Sequence, residues 1–270
     1  MPRFWNFCTK RVEGAFGGAE NFKNQAGSPE LTKRAGAASL PDSQTPFNQS
    51  RNVGFFVTGT DTDVGKTVAT AWLLRRLRGF YWKPIQAGLD GETDTMVVQR
   101  LAELPDHHVI PTRHALHLPR SPHLAAAREN ITIHLTDFHL ANPPQPLVVE
   151  GAGGLLVPIN QTALMVDLMA RLRLPVIVVA RTSLGTINHT LLTLETLRHR
   201  GLTVAGVILN GPPDTSNREA IIHYGRVDIL AEIPFLETLT GAELDRAAVV
   251  HPSAVVVLNS YTPCSKVDAV

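Results

Sequence analysis

The chain has 270 residues, 44% hydrophobic and 18% charged, which is enough apolar material for a sizeable globular core. Its 25 Lys and Arg nearly balance its 24 Asp and Glu, and the formal net charge of +1 excludes the broad basic surface that a nucleic-acid backbone demands. No run reaches the roughly 18 consecutive apolar residues of a membrane span. The two cysteines, Cys8 and Cys264, lie near opposite ends, which argues against a disulfide framework and for a reducing cytoplasm.

Residues 1–50 mix Glu13, Glu20, Glu30 and Asp42 with basic residues and contain no uninterrupted apolar stretch, unlike a targeting peptide. Their Gly, Ala, Ser, Asn and Pro content predicts a disordered N-terminal extension. Deleting them is expected to leave melting temperature and turnover nearly unchanged; a large fall in either, by thermal melts or steady-state assays of the shortened chain, would reveal a packed element.

Residues 51–240 read as one α/β domain. Strands are expected at Gly54–Val57, Phe80–Trp82, Leu147–Val149, Val176–Ala180, Val204–Leu209 and Ile229–Ala231, each nearly continuous in apolar character, as strands covered on both faces of a parallel sheet must be. Helical periodicity falls between them at Val68–Arg78, Thr93–Leu104, Asp167–Leu172 and Ile187–Arg200. The alternation predicts an open, mostly parallel sheet with helices on both faces. Residues 241–270 form either one more edge element or a tail. In such a sheet ligands gather at the carboxyl ends of the strands, so the residues that follow each apolar run carry the chemistry.

The first such stretch is Thr58-Gly59-Thr60-Asp61-Thr62-Asp63-Val64-Gly65-Lys66-Thr67, a phosphate-binding P-loop between a strand and a helix. Backbone N–H groups and a helix N-terminus face the phosphates, the Lys66 ammonium reaches the β- and γ-phosphates, and the Thr67 hydroxyl ligates Mg²⁺. Relative to G-x-x-x-x-G-K-T, the first glycine stands one residue early, at Gly59. Glu150 ends an apolar run and precedes Gly151-Ala152-Gly153-Gly154, which places a carboxylate at the sheet edge as a second Mg²⁺ ligand. Asp94 fits either a third ligand or an acid stabilised by a helix N-terminus. Lys83, after the second strand, stands where a migrating phosphoryl group or an anionic substrate needs neutralising. The histidines of the middle third (His107, His108, His114, His117, His123, His134 and His139) lack carboxylate or Cys neighbours at ligand spacing, and His114 and His117 can simply share a helix or loop surface, so the group does not read as a metal site.

Together, residues 59–67, Lys-Pro-Ile-Gln-Ala-Gly (83–88), Ser-Pro-His-Leu-Ala-Ala (121–126), Val-Glu-Gly-Ala-Gly-Gly (149–154), Leu-Gly-Thr-Ile-Asn-His (184–189), Ala-Gly-Val-Ile-Leu-Asn (205–210) and Glu-Ile-Pro (232–234) resemble the dethiobiotin synthetase family over about residues 54–239. The longer P-loop is a trait of that family. The resemblance implies a P-loop synthetase domain, cytoplasmic and homodimeric, that closes a cyclic urea from 7,8-diaminononanoate and CO₂ with ATP as co-substrate and Mg²⁺ as cofactor. It implies catalytic roles for Lys66 and Lys83, and metal ligation by Thr67, Asp94 and Glu150. It implies ATP contacts from Asp63, Val64, Gly65, Lys66, Thr67 and Val68, from Asp94, from Glu150 with Gly151, Ala152 and Gly153, and, around adenine, from Asn210, Gly211, Pro234, Phe235 and Leu236. Substrate contacts fall to Ala87, where many relatives have Ser, and to Gly185, Thr186, Ile187 and Asn188, which cradle the tail carboxylate across the dimer interface. A partition-type ATPase would carry a further signature Lys at the start of the loop, which here begins Thr58-Gly59-Thr60.

Overall fold

The computed structural model describes residues 54–260; the N-terminal extension and both cysteines lie outside the described residues. In chain order the elements are β1 (Gly54–Gly59), α1 (Lys66–Leu77), β2 (Phe80–Trp82), β3 (Ile85–Ala87), α2 (Asp94–Ala102), β4 (Val109–Ile110), β5 (His114–Leu116), α3 (Pro122–Arg128) and β6 (Leu147–Gly154). They continue with α4 (Met165–Leu172), β7 (Val176–Arg181), α5 (Thr186–His199), β8 (Val204–Asn210), α6 (Thr215–Gly225), β9 (Ile229–Ile233), α7 (Gly241–Ala247), β10 (Val249–Val250) and α8 (Pro252–Ser260).

Eight strands form one sheet in the order β10-β9-β8-β7-β1-β6-β2-β4, parallel throughout except for β10, which runs antiparallel to β9. Alternation along β1 explains its burial on both sides. Phe55 and Val57 join a core with Trp72, Leu73, Leu101, Leu244 and Leu258 from α1, α2, α7 and α8, whereas Phe56 packs with Ala125, Met169, Leu194 and Ile221 from α3, α4, α5 and α6. Two apolar layers thus clamp the sheet. The chain leaves β1 toward β2 and later returns through β6 to β7, so β1 lies between β6 and β7 where the winding reverses, and the loops after these strands open onto one crevice. Among the described residues no helix is long and apolar enough to cross a membrane.

The six strands read from apolar runs are all present. Three others, β3, β4 and β5, were not read, because two or three residues are too short to show a period. β3 and β5 form their own small parallel pair, Gln86 opposite Ala115. Helices α3 and α6 were also missed: α3 has only seven residues, and α6 buries little beyond Ile221 and Gly225, so neither shows a clear apolar stripe. Residues 241–260 form an edge element, with Val249 paired to Glu232 and Leu244, Ala254 and Leu258 buried beneath it.

Candidate active site

The loop between β1 and α1 depends on two backbone positions. Gly65, the residue before α1, has φ 90°, a left-handed conformation that glycine adopts without strain, and a Cβ there would lie 2.1 Å from Nδ2 of Asn210. Asp63 also has positive φ, at 57°. The Asn210 amide donates to the Val64 carbonyl at 3.1 Å and so ties the end of β8 to the loop. Gly65→Ala is expected to lower the melting temperature by several degrees and to weaken nucleotide binding at least tenfold, since both the conformational strain and the clash fall on the phosphate loop. Calorimetric titration with ATP alongside a thermal melt checks this, and unchanged affinity would contradict it.

A cleft of ≈ 910 Å³ opens over the loop, lined by Asp63, Gly65, Lys66, Thr67, Lys83, Gln86, Ala87, Asp94, Glu150, Ala152 and Gly153, among others. At its floor the Thr67 hydroxyl donates to Asp94 Oδ1 at 2.8 Å and lies 3.2 Å from Glu150 Oε1. Lys83 Nζ is 2.7 Å from Asp94 Oδ2 and 2.9 Å from Glu150 Oε1, and donates also to the Gly151 carbonyl at 3.1 Å. Lys83 is 3% exposed and Glu150 not at all. The Tyr81 hydroxyl donates to the other Glu150 oxygen at 3.2 Å. Lys66, also buried, turns its ammonium onto the Asp61 carbonyl at 3.1 Å.

Burial disfavours the charge on each of these groups, and their neighbours decide the outcome. At Lys83 burial is outweighed by Glu150 and Asp94, which raise the ammonium above its ordinary pKa. At Asp94 burial is likewise outweighed, here by Lys83, Thr67 and Lys66, and the carboxyl is held below its ordinary range. Lys66 goes the other way, because burial and the nearby charge of Lys83 lower it despite the carboxylates. Burial, then Glu150, pushes Tyr81 well up, so its hydroxyl stays a donor. A carboxyl held low stabilises the fold above its unfolded pKa and loses that contribution as pH falls through the folded one; a raised Lys contributes below its unfolded pKa and loses it as pH rises through the folded one. The Lys83–Asp94 pair is therefore intact across neutral pH.

Thr67, Asp94 and Glu150 converge as a set of hard oxygen donors at the first turn of α1, the chemistry that suits Mg²⁺ with several retained waters. Asp94 is at once the first residue of α2, behind the N-cap Thr93, so its helix-end placement and its place in the cleft coincide. Val64 and Val68 turn their side chains into the apolar layer under α1 and do not line the cleft. Asn210 and Phe235 line a separate ≈ 300 Å³ pocket with Arg181, Pro212 and Pro213. Gly211 packs closely there, since a Cβ would lie 2.4 Å from Thr182 Oγ1, while Pro234 and Leu236 flank Phe235 half-buried.

Gly185, Thr186, Ile187 and Asn188 do not line the phosphate cleft of their own chain. They sit at the start of α5, where the Thr186 hydroxyl donates to the Arg181 carbonyl. Sequence reasoning missed Tyr81, whose link to Glu150 depends on β2 pairing with β6, a register no local pattern announces. It also missed the ion pair of Arg181 with Asp61 at 2.6 Å, which joins the end of β7 to the phosphate loop. Of the histidines, His114 pairs with Asp137 at 2.9 Å, and His108 stacks on Phe80 with Nδ1 3.1 Å from the Gly79 carbonyl.

The family described as an AAA domain matches residues 53–243. An ATP-dependent dethiobiotin synthetase BioD of Paramagnetospirillum magneticum is 53% identical over 191 residues, covering 71% of this chain and 92% of its own. The enzyme of the same name from Agrobacterium fabrum is 45% identical over 197 residues, covering 73% and 93%. A biotin biosynthesis bifunctional protein BioCD of Bordetella avium is 50% identical over 193 residues, 71% of this chain but 42% of the longer relative.

Proposed function

The chain belongs to the dethiobiotin synthetase family, ATP-dependent ligases of biotin biosynthesis, and from that premise we propose how its own residues close the ureido ring. One amine of 7,8-diaminononanoate adds to CO₂ and gives a carbamate. A carbamate oxygen attacks the γ-phosphorus of ATP, ADP leaves, and the second amine then attacks the carbonyl carbon of the mixed anhydride and expels phosphate. No protein nucleophile is required, because phosphoryl transfer through a loose transition state is mostly a matter of position and electrostatics.

The observation that carries this reading is the buried Lys83, held between Asp94 and Glu150 on the cleft wall facing the P-loop. Its ammonium, kept charged by both carboxylates, neutralises the carbamate and the migrating phosphoryl group. Lys66 leaves the Asp61 carbonyl to engage the β- and γ-phosphates, and the loop's N–H groups hold the rest of the triphosphate. Thr67, Asp94 and Glu150 would hold Mg²⁺, which when bound supplies charge neutralisation across the phosphates. Asn210, with Gly211, Pro234, Phe235 and Leu236, takes the adenine. The Asn210 amide nitrogen gives one N–H to Val64, which leaves its second N–H to donate to the base and its carbonyl oxygen to accept from it.

We further propose a homodimer in which Gly185–Asn188 of one subunit bind the substrate's tail carboxylate in the cleft of the other. The start of α5 lies outside its own cleft, and Leu184 before it is 103% exposed, which supports a second copy covering this end. A cytoplasmic setting is supported by the scarcity of cysteine. Release of ADP that requires both the diamine and bicarbonate tests the reading. Hydrolysis at full rate without the diamine would favour a nucleotide-switched ATPase instead.

A further inference from the structure

We propose that Gln86 provides the hydrogen-bond acceptor that seats one amino group of the vicinal diamine, an inference that rests on the ring-closure reading above. Gln86 lies in β3, three residues after Lys83, and lines the phosphate cleft at 7% exposure. Its amide nitrogen donates to the Ala87 carbonyl at 3.2 Å, which fixes the orientation of the group, since the flipped amide would set two carbonyl oxygens against each other. The other end, Oε1, is buried and has no hydrogen-bond partner. A buried acceptor left this way is costly, and a donor carried in by a ligand relieves it.

The remaining side chains of this wall narrow the choice of acceptor. Ala87 presents only a methyl group. Glu92 is held by both Nε and Nη2 of Arg100, and Asp94 is shared by Lys83 and Thr67. Asp90 is exposed to water. Gln86 is thus a sheltered acceptor on this wall without an existing partner to displace, and a small shift of its side chain toward the cleft presents its oxygen to an incoming N–H. Its neutrality matters for the chemistry. A carboxylate at the same place would hold the amine as an ammonium, which cannot attack CO₂ or the mixed anhydride, whereas an amide oxygen accepts from the neutral amine and leaves its lone pair free.

Two variants of the full chain test this with Mg²⁺, ATP, bicarbonate and the diamine. Gln86→Met, similar in size but without the acceptor, is expected to raise the KM for the diamine about tenfold or more while the Kd for ATP changes less than about twofold. Gln86→Glu is expected to bind the diamine at least as well as wild type but to move the pH dependence of kcat about one unit toward alkali, because the amine then deprotonates later. A purely packing role for Gln86 moves neither the pH profile nor the ratio of the two affinities. The inference is overturned by a diamine KM within twofold of wild type in Gln86→Met, or by equal losses for ATP and diamine. Should Gln86→Met not fold, an unshifted profile in Gln86→Glu overturns it alone. Wild-type enzyme run in parallel separates the two levels: absence of cyclic urea there defeats the ring-closure reading as well, whereas product with an unaltered diamine KM defeats only the role of Gln86.

Discussion

Lys83→Met is expected to lower kcat by about 10²–10³ and, in the same protein, to lower the melting temperature by on the order of 10 °C. The catalytic loss follows from removing a positioned charge whose interactions strengthen as phosphoryl transfer proceeds. The loss of stability has a separate cause. Glu150 is wholly buried, and without the ammonium it keeps only the Tyr81 and Thr67 hydroxyls as partners. Stranding one member of a buried ion pair costs about 3–5 kcal/mol. Asp94 also loses its largest favourable partner, and its carboxyl is expected to titrate at higher pH than in the wild type. Adding Glu150→Gln to the Met variant removes the stranded charge and is expected to recover most of the melting temperature while kcat stays low. Lys83→Arg keeps the charge but not the compact shape that fits between two carboxylates, and is expected to rescue kcat only in part. Thermal melts and steady-state rates at saturating diamine measure both effects. A Met variant with normal kcat and weakened ATP affinity would make Lys83 a ground-state anchor and overturn its catalytic role.

Lys66→Met is expected to abolish measurable turnover and weaken ATP binding, yet to leave the melting temperature within about 2 °C of wild type. Here the stability argument reverses. Lys66 gains little from its surroundings: its ammonium bonds a single main-chain carbonyl, and burial together with Lys83 disfavours its charge. Removing it relieves a desolvation cost and a like-charge contact, so the fold loses almost nothing. On the proposed roles the two lysines of one cleft carry opposite signatures: loss of Lys83 costs both turnover and stability, and loss of Lys66 costs turnover and nucleotide binding alone. Nucleotide titration with a thermal melt distinguishes them; near-normal turnover in a folded Lys66→Met protein would sink the P-loop assignment.

Much of this was legible in the chain. Strands buried on both faces announce themselves as apolar runs; Lys66 and Thr67 after β1, Lys83 after β2 and Glu150 within β6 line one cleft, and Asn210 at the end of β8 reaches the same loop from the neighbouring pocket, because parallel strands bring their carboxyl ends together. What stayed hidden depends on pairing across the sheet. Tyr81 reaches Glu150 only through the register of β2 against β6, and Arg181 reaches Asp61 only because β7 lies beside β1. The energetic coupling of Lys83 to Glu150 was hidden for the same reason: Lys83 could be read as a charge facing a ligand, but not as the counter-ion that keeps a buried carboxylate tolerable. Short elements such as β4 and α3 carry too few residues to reveal a period at all.

In the proposed reaction ATP phosphorylates a carbamate oxygen before the ring closes, and the fate of that oxygen tests this order. Purified enzyme with ATP, Mg²⁺, the diamine and heavy-oxygen-labelled CO₂, quenched before the label exchanges with water, is expected to yield the cyclic urea with one labelled oxygen and inorganic phosphate with the other, both detected by mass. Unlabelled phosphate accompanying labelled cyclic urea would mean that ATP is hydrolysed by water apart from the carbamate, and would contradict the mechanism.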